Sequence, residues 1–284
     1  MSAASPRAPL GGWIAAALLL PALLIIGIGF VAPLLRLAVL SVTDPAGPLA
    51  PYRELLSEPV YWIVFRNTVV LALIVSAISL VLGFALAFVL TRLDSGWRAL
   101  VFACIVLPLW ISVLVRTFSW MLILEKNGPV NRLLAASGLT DQPVQLLFNA
   151  TGVAIGMTHV LLPYAVLPIY AALTRIDPAL LQASEGLGAS AATTFRRVVL
   201  PLAARGVATA ATFTFLLSLG FFVTPALLGG ATSTTIPMLI DHFVNERLAW
   251  PLASAAAVIL LAMSLLVLAV ASRFVRVGAL AELR

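Results

Sequence analysis

Five long stretches without a charged side chain constrain the fold of this 284-residue chain more than any other feature. Each stretch is long enough to cross a bilayer as a helix, which needs about 20 residues. A sixth stretch, Ala99–Val115, is shorter but can extend past Arg116 to Leu124. The sequence therefore predicts an all-α membrane protein with six transmembrane helices. The five long stretches are Leu10–Leu35, Asn67–Thr91, Gln142–Thr174, Gly206–Ile240 and Leu248–Ser272.

Composition supports the same class of protein. Hydrophobic residues make up 62% of the chain, charged residues 10%, and the mean hydropathy is +1.11, values that exclude an ordinary soluble domain. We expect residues 10–284 to form a single transmembrane domain with its core at 67–273, and residues 1–9 to form a disordered tail. The first span exceeds the 7–15 apolar residues typical of a cleavable signal, so we expect it to be retained.

Positive charges predict the orientation of the chain. With a cytoplasmic N-terminus and six spans, the inner segments carry ten basic and four acidic residues, and the outer segments carry seven of each. Basic residues concentrate on the cytoplasmic side of membrane proteins. Both termini are therefore predicted to be cytoplasmic. The sequence pI is near 10.4. Because the arginines mostly flank spans, we expect them to contact lipid headgroups, and no nucleic-acid partner is expected.

Residues 175–201 separate two apolar stretches and carry strong helix signals. Asp177 precedes a proline, a pattern typical of a helix start. Gly186 and Gly188 weaken any continuation of that helix, and Ser190 can cap a second helix that enters the next span. The pattern predicts a helix-turn-helix elbow at the cytoplasmic surface, with a face suited to a groove on another protein.

The elbow resembles a family motif. The membrane permeases of ATP-binding-cassette (ABC) importers carry Glu-Ala-Ala, three residues, Gly, nine residues, Ile, one residue and Leu-Pro. Three of the seven positions depart conservatively from that pattern here, and glutamine in place of glutamate removes a charge. The matching residues are Gln182, Ala183, Ser184, Gly188, Val198, Leu200 and Pro201.

The resemblance implies that the elbow is a coupling helix, which lies in a cleft of a cytoplasmic ATPase subunit and transmits its closure. It also implies the type I importer permease fold, a second homologous permease, two ATPase subunits and an extracytoplasmic solute-binding protein. ATP and Mg would be bound by the ATPase subunits, and no cofactor is expected in this chain. The residues expected to couple to the ATPase are Gln182, Ala183, Ser184, Glu185, Gly188, Arg196, Leu200 and Pro201.

Three further segments are similar to permeases of spermidine/putrescine importers: Ile111–Leu134, Val160–Leu173 and Phe222–Gly230. This resemblance extends from about Asn67 to the C-terminus. It implies a bacterial inner-membrane permease that forms, with its partner, the path of a small polar solute, with a polyamine as the first candidate. The alternatives are an amino acid, an opine or an organophosphonate.

Catalytic chemistry is not indicated. A phosphate-binding loop needs Lys after Gly, and the only lysine, Lys126, follows a glutamate. We interpret His159 as a packed polar residue within a span and His242 as a solvated loop residue. With one cysteine, Cys104, neither a disulfide within the chain nor a metal cluster is expected. A membrane-embedded enzyme is disfavoured because no catalytic pair or ligand set lies in the spans.

No Asp or Glu lies well inside any predicted span, which also disfavours an ion-gradient carrier. Carboxylates for a cationic solute would have to come from the partner permease. Aromatic rings can hold an ammonium group, although each ring is equally compatible with packing or lipid contact. Arg66 and Arg116 could contact an anion, or reach headgroups or the binding protein. The pathway candidates are Trp110, Arg116, Phe118, Trp120, Phe221 and Phe222.

Proline and glycine predict the irregular segments. The loop Thr43–Pro59 is expected to be an extended external strap, and Pro108 is expected to kink the third span. The stretch Thr224–Gly230 has too many helix breakers to be helical and is expected to line an opening. Val130–Ala136 is expected to form a short amphipathic piece at the outer surface.

Overall fold

The computed structural model describes residues 12–281, with side chains described outside 14–16 and 274–281. The tail expected at residues 1–9 lies outside this range. Within it the chain is helical with short turns and contains no strand. The α-helices are α1 (Gly12–Ile26), α2 (Ala32–Leu40), α3 (Ala50–Ser57), α4 (Pro59–Leu90), α5 (Ser95–Val106), α6 (Val113–Leu124), α7 (Pro129–Ala136), α8 (Ala150–Leu173), α9 (Pro178–Gly186), α10 (Ala191–Thr194), α11 (Leu200–Leu219), α12 (Val223–Leu228), α13 (Ile236–Asn245) and α14 (Trp250–Ala281).

Five helical segments in the described range are long and apolar enough to cross a membrane, and one sharply bent pair can form a sixth. The prediction of an all-α chain with six apolar segments is therefore confirmed. The single segments are Ala17–Leu40, Pro59–Leu90, Ala150–Leu173, Ala191–Leu219 and Trp250–Arg273, and the bent pair is Ser95–Trp110 with Val113–Ala136.

Helices α4, α8 and α11 pack against one another and form the centre of the bundle. Glycines permit their close approach. A Cβ atom at Gly83 of α4 would lie 2.7 Å from the Cβ of Ala165 of α8. A Cβ at Gly206 of α11 would lie 2.4 Å from the Cβ of Ala172 and 2.7 Å from the carbonyl oxygen of Pro168. Helices associate in membranes through such small-residue contacts, because lipid supplies no hydrophobic drive between them.

Polar side chains connect distant segments at the end of the bundle opposite the elbow. Asn67 Nδ2 donates to the carbonyl of Thr232 at 2.8 Å. Thr68 Oγ1 accepts from the backbone N–H of Ile236 at 2.8 Å and so caps the start of α13 from α4. A free helix N–H in an apolar setting is costly, so this long-range cap fixes α13 on the bundle.

The third span is broken and not merely kinked as expected. After α5 a 3₁₀ turn covers Leu107–Trp110, and the backbone of Ile111 is extended before α6 begins. The two parts meet at 108°. Pro108 lacks an N–H and Ile111 leaves the helical region, so the helix cannot continue through this point.

The fifth span ends earlier than the uncharged stretch to Ile240 suggested. It runs from Ala191 to Leu219, including a π-helical turn at Phe195–Val199, and stops at Gly220. The expectation that residues 224–230 are not helical was wrong in part, because α12 covers Val223–Leu228.

Two other expectations were also wrong. The predicted strap at 43–59 contains the helix α3, with Pro51 in its first turn, where proline is tolerated. His242 lies in α13 and not in a loop, and its Nδ1 is 2.9 Å from Glu246 Oε2 one turn later. The short amphipathic piece expected at Val130–Ala136 forms the helix α7, Pro129–Ala136.

Candidate functional site

The elbow begins with a capped helix, as its sequence predicts. The side chain of Asp177 accepts a hydrogen bond from the N–H of Ala179 at 2.9 Å. Pro178 follows as the first residue of α9. The carboxylate satisfies a free amide of the first turn, and the proline needs no donor there. Local sequence therefore fixes where this helix starts.

A glycine-dependent turn ends α9. Gly188 has a φ of +78°, in the left-handed region that L side chains rarely adopt. Its N–H donates to the carbonyl of Glu185 at 2.9 Å, and the N–H of Ala189 donates to the carbonyl of Ser184 at 3.1 Å. This pair of bonds is the Schellman arrangement that closes a helix C-terminus. The chain reverses here because Gly188 has no Cβ to oppose the conformation.

The second limb of the elbow returns to the bundle and is joined to the first. Ser190 Oγ accepts from the N–H of Thr193 at 3.3 Å and caps α10, which continues through the π-helical turn into α11. Ser184 Oγ on α9 lies 2.8 Å from Thr194 Oγ1 on α10. Since Thr194 is buried, this hydroxyl pair is a fixed link between the two limbs.

The tip of the elbow presents apolar surface. Leu187 is 89% exposed and Leu180 is 47% exposed. Leu180 lies in the first turn of α9 and Leu187 at its C-terminal cap, so a partner that covers the elbow could bury both. Seven of the eight residues expected to couple are exposed, whereas Ser184 is half-buried and instead holds the limbs together; the exposed ones are Gln182, Ala183, Glu185, Gly188, Arg196, Leu200 and Pro201.

A second feature, the α4–α8 cleft, lies along the bundle and has a volume of about 600 Å³. Its walls are mainly apolar. Trp120 of α6 and His159 of α8 meet in it: Trp120 Nε1 donates to His159 Nδ1 at 3.2 Å, and the rings are edge-on at 5.6 Å. Polar residues that also line the cleft are Asn67, Thr151, Thr158, Thr232 and Ser233.

Arg116 lies one helical turn before Trp120 on α6, close enough to His159 and Tyr164 to interact with both electrostatically. Its Nε and Nη1 atoms are buried and have no acceptor among the described residues. A guanidinium group within a span is costly unless its donors find partners. Two donors of Arg116 therefore lack an acceptor within the described part of the chain.

The structure brings together only part of the predicted pathway set. Trp120 lines the cleft, Arg116 lies beside it, and Phe221 packs on the same core cluster as Trp120. Trp110 is 80% exposed beyond α5, Phe118 is exposed, and Phe222 lines a separate pocket beside Asp241 and His242. These three residues do not reach the cleft.

Sequence reasoning missed the cleft's polar residues. Thr158 and His159 lie in an apolar run, where His159 was interpreted as packing alone. The missed signal was polar side chains repeated along one buried helix, since such groups in spans are expensive and often functional. Thr158 Oγ1 and Ser233 Oγ are buried in the cleft and have no hydrogen-bond partner among the described residues.

A bundle of apolar spans joined by a glycine-dependent elbow defines a multi-pass membrane protein. The chain belongs to the family described as the binding-protein-dependent transport system inner membrane component, which matches residues 79–277. It is accordingly a permease subunit of an ABC importer and a multi-pass inner-membrane protein. Permeases of this family are non-catalytic membrane subunits.

Curated relatives extend the likeness along most of the chain. It is 32% identical over 250 residues to the spermidine/putrescine transport system permease protein PotB of Escherichia coli (strain K12), covering 88% of this chain and 89% of that protein. It is 38% identical over 204 residues to the inner membrane ABC transporter permease protein YdcU of the same organism, covering 67% and 64%.

A solved structure supports the fold. A chain of a bacterial ABC transporter involved in the import of the acidic polysaccharide alginate superposes with a TM-score of 0.80. The match covers 93% of this chain and 95% of that chain, at 21% sequence identity. The fold is therefore that of a type I ABC importer permease, as the elbow motif implied.

Proposed function

We propose that this permease carries a polyamine inward across the membrane. The observation that supports this substrate best is the 32% identity to a spermidine/putrescine permease over 88% of the chain, because it includes the elbow and the helices of the α4–α8 cleft.

The chemistry of the α4–α8 cleft suits an ammonium group. The unpartnered oxygens Thr158 Oγ1 and Ser233 Oγ can each accept an N–H bond from a solute. The ring of Trp120 adds a surface for cation-π attraction, worth about 0.5–2 kcal/mol. The cleft contains no carboxylate among its lining residues. Acidic groups for the second amine would come from the partner permease.

The exposed elbow supports an energy source that lies in a partner subunit. An apolar tip led by Leu187 would lie in a cleft of an ATPase subunit, one subunit for each of two permeases. The ATPase subunits would bind ATP and Mg, and an extracytoplasmic binding protein would deliver the solute. Closure of the ATPases would move the elbow and rock the spans against each other, giving alternating access.

The proposed orientation places the elbow and both termini in the cytoplasm. Arg92 and Arg98 lie at the elbow end of the bundle, because they line one pocket with Leu181 of α9. At the other end of the bundle, Glu54 and Arg247 interact at 3.6 Å, and they lie in the segments just before α4 and α14. This distribution agrees with a positive cytoplasmic face.

The test of the substrate is uptake by the complete complex in proteoliposomes, with ATP at the elbow side and the cognate binding protein on the other. We expect ATP-dependent uptake of labelled spermidine, reduced by excess unlabelled putrescine and unchanged by an organophosphonate or an acidic amino acid. Competition by the acids and not by putrescine would contradict the proposal. The purified chain alone is expected to hydrolyse no ATP.

A second candidate, a permease for a small anionic solute, is favoured by Arg116. Its Nε and Nη1 donors are buried and have no acceptor among the described residues, and a guanidinium group forms strong charge-assisted hydrogen bonds with a carboxylate or phosphonate. A polyamine would instead be repelled by this charge if it came close. The two candidates therefore make opposite predictions for one substitution.

Arg116→Gln distinguishes them, with Arg132→Gln as the control because Arg132 is exposed on α7 and the change in charge is the same. For a polyamine permease, uptake by Arg116→Gln is retained or increased once the amount of assembled complex is matched. For an anion permease, uptake falls at least about tenfold, since a charged hydrogen bond contributes about 1.5–3 kcal/mol. Arg132→Gln is expected to behave as wild type in both cases.

A further inference from the structure

A basic pocket lies between the end of α4, the start of α5 and the elbow, separate from the α4–α8 cleft. Its volume is about 530 Å³, and its polar lining comes from Thr91, Arg92, Arg98, Tyr170 and Thr174. We propose that this pocket binds the phosphate headgroup of an anionic phospholipid. The proposal rests on the cytoplasmic orientation of the elbow given above.

Two guanidinium groups are held at the pocket by different contacts. Arg92 stacks over the ring of Phe88, with 4.7 Å from Cζ to the ring centroid. Arg98 donates from Nε and Nη2 to the carbonyl of Leu93, at 3.2 and 2.7 Å. No carboxylate among the described residues forms an ion pair with either arginine. Both charges are therefore preorganised and unneutralised.

Beside the two arginines, the pocket offers one further donor, the hydroxyl of Tyr170. The hydroxyls of Thr91 and Thr174 donate to the backbone carbonyls of their own helices. The hydroxyl of Tyr170 has no partner among the described residues and can donate to a phosphate oxygen. The C-terminal ends of α4 and α8 also meet at the pocket, and their partial negative charge attracts cations. The guanidinium group of Arg92 forms no hydrogen bond with the carbonyl groups of these helix ends.

The surroundings favour a lipid over a soluble phosphate. Trp97, in the same first turn of α5 as Arg98, is 65% exposed, which is typical of an aromatic residue at the membrane interface. Leu100, one turn further, is also exposed. Basic pockets between helices at the cytoplasmic side suit anionic headgroups. A headgroup bound here would join the α4–α5 turn to the elbow through Leu181 and Thr174.

The test compares the assembled complex, with its ATPases, in nanodiscs of phosphatidylcholine alone or mixed with phosphatidylglycerol. Arg92→Gln/Arg98→Gln is matched by Arg53→Gln/Arg132→Gln, which removes two exposed arginines from outside the pocket. Arg132, like Arg98, donates to a backbone carbonyl. We expect phosphatidylglycerol retention during delipidation, measured by mass spectrometry, to weaken about tenfold or more in the first variant only.

Three outcomes would overturn the proposal. The first is equal retention of phosphatidylglycerol by both double variants. The second is displacement of the bound lipid by a saturating concentration of inorganic phosphate, which would assign the site to a soluble anion. The third is loss of ATPase subunits from Arg92→Gln/Arg98→Gln in detergent without lipid, which would assign it to a protein contact.

Failure of the lipid site is distinguishable from failure of the proposed function. Spermidine uptake by the wild type in phosphatidylcholine alone reports on the transported solute and does not require the pocket. Orientation is read separately in a Cys104→Ser background, by labelling Ser95→Cys with an impermeant thiol reagent. Labelling only from the extracytoplasmic side would overturn the orientation, and with it the lipid proposal.

Discussion

Single residues decide the shape of the elbow, and Gly188 is the most demanding of them. Its φ of +78° is strained for any L side chain, although a Cβ there would meet nothing within 4 Å. Gly186, two residues earlier, also has open space around it but ordinary helical backbone. Comparing Gly188 with Gly186 therefore separates the effect of a left-handed backbone from the effect of the space around the residue.

We therefore predict opposite effects of two alanine substitutions. Gly188→Ala should raise the free energy of the folded elbow by about 1–2 kcal/mol, because the left-handed conformation opposes a Cβ. Gly186→Ala should be neutral or stabilise α9 by about 0.5–1 kcal/mol. The measurement is hydrogen exchange of the α9 amides in the purified complex, with ATP-dependent uptake as the functional readout. Equal protection in the two variants would show that the turn does not need its glycine.

The Ser184–Thr194 pair gives a second prediction at this scale. Ser184→Ala should destabilise the elbow by about 1–3 kcal/mol, because the buried Thr194 hydroxyl loses its partner. Adding Thr194→Val should recover most of that loss, since no hydroxyl is then left unpaired. Hydrogen exchange of α9 and α10 in the two single variants and the double variant gives the coupling free energy. Additive effects would mean that the two hydroxyls do not stabilise each other.

At the scale of elements, the bundle depends on how closely α4, α8 and α11 approach. A Cβ atom at position 206 would meet both a side chain and a backbone carbonyl of α8, so a residue larger than Gly206 cannot be accommodated by a side-chain rotation alone. The broken third span contrasts with this packing, because α6 bends away at Pro108 and positions Trp120 against His159. The close packing of these helices and the break in the third span together form the α4–α8 cleft.

We predict that Gly206→Ala lowers the stability of the bundle by about 1–3 kcal/mol, the usual cost of overpacking. Gly96→Ala, in the first turn of α5, serves as the control because a Cβ there would meet nothing within 4 Å. Thermal unfolding in detergent, followed by intrinsic fluorescence, should show a lower midpoint for Gly206→Ala only. An unchanged midpoint would mean that α8 and α11 can separate without cost.

At the scale of the whole molecule, the described chain exposes two kinds of apolar surface. Most of it lies on α1, α2 and the outer faces of the spans, where lipid is the natural contact. Leu187 belongs to the other kind, because it projects from a turn between two spans. We therefore expect Leu187 to contact a partner subunit.

Leu187→Asp should weaken binding of the ATPase subunit by about tenfold to a hundredfold, because burying a leucine contributes about 1.5–3 kcal/mol. Leu139→Asp is the matched control: that leucine is 73% exposed in the turn after α7. The measurement is retention of the ATPase on an immobilised permease pair. Equal retention by the two variants would show that the elbow tip does not contact the ATPase.

Much of this architecture could be predicted locally. The start of α9 at Asp177, the turn at Gly188 and the cap at Ser190 depend on neighbours within a few residues, and all three occur as predicted. The roles of the elbow residues in coupling stay predictions, as do the roles of the pathway residues. The end of the fifth span was predicted poorly, because an uncharged stretch does not specify where its helix stops.

The sequence alone determined the membrane class, the number of apolar segments and the elbow, because hydropathy and capping are read from neighbouring residues. Pro108 marked where the third span bends, but only the tertiary structure decided that the angle is 108°, that α13 is capped by Thr68 from 168 positions away, and that Trp120 meets His159. The cap and the contact between Trp120 and His159 depend on groups finding partners across the bundle, where an unpaired polar group is costly, and no local pattern encodes which distant segment supplies the partner.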